Sequence, residues 1–172
     1  MEIELKNVSI DGVGVRLTTI NNLKHLDNFY REIVIACKIF AEEDRIGLKN
    51  PTEVWTEVIH AVQSSNEELI VGQAFDPLLP PKHKFLGFMI VSVYNISGGG
   101  KRFDVTHTYI VKGAPSNLLG EAYKALKEIA SQLGCQTLSF TSPFEGRRSA
   151  ALIRRLRDYS IRPTSIRFER EV

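Results

Sequence analysis

Between residues 102 and 133 the hydrophobic period changes once. Phe103, Val105, His107, Tyr109 and Val111 alternate along one side of an extended segment. After Gly113-Ala114-Pro115, apolar positions recur at helical spacing at Leu119, Ala122, Tyr123, Leu126, Ile129, Ala130 and Leu133. The pattern predicts a strand, a tight turn and a long amphipathic helix. Gly134 is placed to end that helix in the left-handed conformation, and residues 135–141 alternate again as a strand. Such a β-turn-α-β crossover favours parallel strands beneath the helix. A turn that brings free helix N–H groups beside the end of a strand is suited to an anion, above all a phosphorylated cofactor.

The rest of the chain supplies strands and helices around this unit. Residues 1–20 read as two extended pieces around Asp11-Gly12, and residues 21–43 as one amphipathic helix through Leu26, Phe29, Ile33, Cys37 and Phe40. Asn50-Pro51-Thr52-Glu53 announces a second helix to about residue 64, with a cap, a first-turn proline and a first-turn acid. Strands follow at residues 69–75 and 84–94, separated by a proline-rich connector, and Ser97-Gly98-Gly99-Gly100 turns the second back onto residues 103–111. Residues 149–159 read as a last helix with Leu152, Ile153, Leu156 and Tyr159 inward, and residues 161–172 as a closing strand. The expected class is α+β: one domain over residues 1–172, with a mostly antiparallel mixed sheet, one β-α-β crossover and flanking helices.

Composition narrows the field modestly. With 43% hydrophobic and 24% charged residues the chain is an ordinary globular protein, and its net charge of +2 is too small to argue for nucleic acid. No stretch reaches the length of a membrane span, and residues 1–4 (MEIE) lack a signal-peptide pattern, so a cytoplasmic protein with no membrane partner is expected. Cys37 and Cys135 lack metal-site spacing and read as buried free thiols, and no metal is expected. The charge is uneven, however. Arg147, Arg148, Arg154, Arg155, Arg157, Arg162, Arg167 and Arg170 make the last quarter basic, and Arg147 and Arg148 precede a helix N-terminus where positive charge is unfavourable unless an anion compensates.

The element order, the Gly87-containing strand FLGFMIV, the strand ending in Tyr109-Ile110-Val111 and the turn and helix after it resemble the GNAT superfamily of N-acetyltransferases. The resemblance runs from about Val13 to the end. It implies acetyl-CoA as cofactor and acetyl transfer to a primary amine, of a small molecule or a protein, by direct attack. On the matching positions, cofactor contacts fall to Ile110, Val111, Lys112, Gly113, Ser116, Asn117, Leu118 and Leu119, with Ser149 where the family often has asparagine. Ser116 is the expected cap of the helix, and the N–H of Ile110 or Val111 the expected donor to the thioester oxygen. The sequence departs from the family pattern in lacking the paired glycines of the pyrophosphate turn, where Pro115 has no N–H, and in having Leu156 at the usual tyrosine position.

Two side chains stand as catalytic candidates. His107 lies in the central strand and titrates near neutrality, which suits a base; Tyr159, one turn beyond Leu156, is the substitute acid. Asp104 is expected on the opposite face from His107. The rival reading is a non-catalytic member of the same fold, phage-encoded or otherwise, that binds an acidic protein or nucleic acid through Arg147, Arg148, Arg154 and Arg155. The closing strand is an edge suited equally to pairing two copies as a homodimer or to standing protected by Pro163 and its charges.

Overall fold

Alternation and helical spacing place the elements well in the computed structural model, which describes residues 8–10, 13–43, 50–75 and 84–140. In chain order these are β1 (Val8–Ile10), β2 (Val13–Ile20), α1 (Leu23–Asp27), α2 (Tyr30–Glu43), α3 (Pro51–Gln63), β3 (Glu67–Phe75), β4 (Lys84–Ile96), β5 (Gly100–Ile110), α4 (Leu118–Gln132) and β6 (Thr137–Phe140). The six strands lie in the sheet in sequence order. Every pairing is antiparallel except that of β5 with β6, which is parallel, as the crossover through α4 requires. The expected final helix and strand, with Ser149, Tyr159 and the arginine cluster, lie outside the described residues.

Helices cover both faces of this sheet. On one, Leu17, Ile70, Met89, Val91, Phe103 and Val105 pack with Leu118, Ala122, Leu126 and Ile129 of α4. On the other, Leu69, Val71, Phe88 and Ile90 pack with Ile33, Ala36 and Cys37 of α2 and Val54, Val58 and Ala61 of α3. The α3 start matches its sequence signal atom for atom. Asn50 Oδ1 accepts the Glu53 N–H at 3.0 Å, and Glu53 Oε2 accepts the Asn50 N–H at 2.9 Å. Such a capping box is worth about 1 kcal/mol.

Two expectations are corrected. The helix read over residues 21–43 is two helices, because the Asn28 N–H turns back to His25 O at 3.3 Å and the Phe29 N–H to Leu26 O at 2.9 Å. Asp27 and Asn28 are poor helix formers, and α2 restarts with Phe29 O accepting the Ile33 N–H.

The larger correction concerns β5. Its partners on β4 run Phe103↔Val93, Asp104↔Ser92 and Val105↔Val91, but then His107↔Ile90, Thr108↔Met89 and Tyr109↔Phe88. Thr106 is therefore an extra residue, a β-bulge that exchanges the two faces of the strand. Phe103 and Val105 point to α4, whereas His107 and Tyr109 point to α2 and α3, so the five residues read as one face are divided between two. Asp104 consequently shares a face with His107 instead of opposing it.

Candidate functional site

β5 pairs with β6 from Arg102↔Thr137 to Val105↔Phe140, and beyond Thr106 it has no β6 partner among the described residues. Its other edge stays paired with β4 as far as Gly87↔Ile110, and the Val111 N–H donates to Leu86 O at 2.9 Å. The N–H of Val111 is thus committed to the sheet. By the antiparallel alternation, the N–H and C=O of Ile110 face away from β4, toward the other edge of β5. Of the two donors expected from the sequence, the geometry leaves Ile110.

Gly87 makes this close approach of β4 and β5 feasible. A Cβ there would stand 2.1 Å from Tyr109 O, and its φ of +153° is one that L side chains rarely adopt. Gly72 lies opposite Gly87, and both line a narrow apolar cleft, open to solvent, between the sheet and the start of α4 at Leu118 and Ala122. Ile110 lines it as well.

From Val111 the chain turns tightly into α4. Val111 O accepts the Ala114 N–H at 3.2 Å, Gly113 takes φ +85°, and Pro115 O accepts the Leu118 N–H at 3.0 Å. The N-cap is Asn117, with no side-chain capping bond, so the expected cap at Ser116 is not made. Leu118 is buried in the α4 core and its N–H is spent on Pro115, which removes it from the donor set. The first helical bond is Glu121 N–H to Asn117 O at 3.0 Å, so the N–H groups of Leu119, half-buried, and Gly120, buried, precede the intrahelical ladder. Lys112, Gly113, Ser116 and Asn117 are exposed around them.

On the α2–α3 side, the candidate base is not alone. His107 Nε2 lies 2.8 Å from Glu57 Oε2 on α3, an ion-pair contact that spacing along the chain could not reveal. Its Nδ1 lies 3.2 Å from Thr106 Oγ1, whose hydroxyl donates to Ile90 O at 3.3 Å. Both ring nitrogens therefore have protein neighbours. Cys37, also on this side, is buried; desolvation chiefly, with the nearby Glu57 charge adding to it, pushes its thiol up to about 12. It remains protonated and is no nucleophile. Cys135 is a free thiol too, though only partly buried.

Asp104 has a structural task. It accepts the Ser139 hydroxyl at 2.6 Å and stands 3.4 Å from Tyr94 OH, closing the end of the sheet remote from Ile110. Among the described residues no cluster of metal-ligating side chains occurs, and no helix is long and apolar enough to cross a membrane.

The chain matches no protein-family model and no curated protein sequence. Its fold does match solved structures. A transcriptional regulator from Bacillus halodurans C-125 aligns at a TM-score of 0.64 and 14% identity, over 93% of this chain and 99% of that one. A GNAT family acetyltransferase from Staphylococcus aureus subsp. aureus USA300_TCH1516 aligns at 0.59 and 11% identity, over 92% and 98%. An aminoglycoside N-acetyltransferase in complex with CoA aligns at 0.64 and 10% identity, over 93% and 96%. At such identities the likeness is one of fold, and that fold is the GNAT acetyltransferase fold.

Proposed function

We propose that this GNAT fold works as an acyl-CoA-dependent N-acyltransferase. The observation that carries the reading is the Ile110 N–H, which faces away from β4 beside the turn into α4. The Ile110 N–H would hold the thioester oxygen. The first-turn N–H groups of Leu119 and Gly120, with Lys112, would hold the pyrophosphate, where the positive end of the α4 dipole adds attraction. Pro115 and the committed Leu118 N–H make this a sparser cradle than the family's glycine turn. Its uncapped helix start still fits an anion, and the CoA bound to the aminoglycoside N-acetyltransferase of the same fold supports that choice.

Acyl-CoA supplies an acyl carbon made reactive by its thiolate leaving group. A fixed N–H donor aimed at the developing oxygen charge is worth about 3 kcal/mol in comparable enzymes. The amine must lose a proton, and the Glu57–His107 pair on the α2–α3 side of β5 is the titratable group available for that step.

Calorimetric titration with acetyl-CoA, with dephospho-CoA as a control, tests the reading. Micromolar binding is expected, and it is expected to disappear in Gly113→Pro, since proline cannot adopt the φ of +85° found there. Absence of binding at millimolar acetyl-CoA would overturn the assignment.

A further inference from the structure

We infer that Glu57 on α3 is the residue that meets the acyl acceptor, a cationic primary amine, and that His107 stands behind it as a positioning residue. The inference rests on the acyltransferase reading above. It reverses the assignment that the sequence invites, in which the histidine is the base.

The order of exposure is the first reason. The His107 side chain is 14% exposed and that of Glu57 38%, so an arriving molecule reaches the carboxylate before the ring. The neighbours of the ring are the second. Nδ1 lies 3.2 Å from Thr106 Oγ1, which itself lies 3.3 Å from Ile90 O, and Nε2 lies 2.8 Å from Glu57 Oε2, so both ring nitrogens are turned to protein groups and neither to an arriving amine. His107 therefore holds the Glu57 carboxylate in place from behind.

Placement is the third reason. β3 begins at Glu67, at the end of the sheet far from Ile110, and α3 leads into it; the earlier turns of α3 therefore lie toward the Ile110 end. Glu57 sits on one of those turns, on the face that His107 and Tyr109 occupy after the bulge. The bulge is what brings His107 to α3 at all.

In the reaction so assigned, the Glu57 carboxylate receives the ammonium group, takes one proton from it and passes that proton to solvent, and the neutral nitrogen attacks. A C–N bond forms, the C–S bond breaks, and its electron pair leaves with sulfur. The second nitrogen proton, made acidic by bond formation, passes to Glu57 and on to solvent, and the thiolate takes one from solvent.

The test follows thiol release from acetyl-CoA over a panel of primary amines for the wild type, Glu57→Gln, Glu57→Asp and His107→Asn. Methoxyamine, neutral at pH 7, serves as the uncharged acceptor. Glu57→Gln should lower kcat/KM about 100-fold or more for cationic amines, and about 10-fold for methoxyamine, which brings no ammonium charge but still gives up a proton. Glu57→Asp should recover part of the loss, His107→Asn should lose about 10-fold, mainly through the amine KM, and acetyl-CoA affinity should be unchanged in all three. The inference is overturned, and the acyltransferase reading kept, if His107→Asn is the crippled variant while Glu57→Gln works, or if Glu57→Gln loses both acceptors equally. A wild type that acylates no amine overturns both together.

Discussion

Between Arg102 and Val105, β5 is paired on both edges and buries Phe103 and Val105 completely under α4. From His107 to Ile110 the same strand stays paired with β4 but turns His107 and Tyr109 to the opposite helical layer. The first half is scaffold and the second holds the proposed site. Only Thr106 separates them, and its hydroxyl is part of the chain that holds His107. A single inserted residue thus redirects His107 and Tyr109 to the other helical layer, which is the use bulges commonly have beside functional sites.

Deleting Thr106 would break this contrast most severely. His107 and Tyr109 would return to the α4 face, forcing an imidazole and a phenol into an apolar layer. We expect a loss of more than about 4 kcal/mol in chemical denaturation, together with the loss of acetyl-CoA binding. A gentler comparison truncates one aromatic from each half. Phe103→Ala empties a fully buried position and should cost about 3–4 kcal/mol, read as a shift in urea midpoint. Tyr109→Ala, at a half-buried ring stacked on Phe88 with centroids 6.0 Å apart, should cost about 1–2 kcal/mol. Equal costs would show that the two halves are equally structural.

The smallest effect sharpens the account of the α2–α3 layer. Cys37 is held well above its ordinary 9.0, at about 12. Below pH 9 its thiol is neutral in both folded and unfolded chains; above it only the unfolded chain ionises, so the contribution to stability falls as pH rises toward 12. Cys37→Ala lacks that slope. The gap in urea midpoint between wild type and variant should therefore narrow from pH 8 to pH 10, and a constant gap would show that the thiol is not held neutral.

What the sequence made legible was local. The capping box of Asn50 and Glu53, the glycine turn after β4 and the helical stripe of α4 are each set by residues a few positions apart, and each formed as read. The bulge left no mark for a physical reason. Both faces of this sheet lie under helices, so Phe103, Val105, His107 and Tyr109 keep the same alternation whether or not the strand slips by one. The break between α1 and α2 was hidden likewise, because Leu26, Phe29 and Ile33 keep helical spacing across it. Glu57 gave no signal at all. On its own helix it is simply a polar position, and its meaning comes from a histidine fifty residues away in sequence.

The most direct test of the Ile110 donor is an amide NMR titration with acetyl-CoA. The account predicts saturable shifts at Ile110, Leu119 and Gly120, with the amides from Gly100 to Val105 unmoved. Saturable shifts confined to the first half of β5, or none anywhere at millimolar ligand, would contradict it.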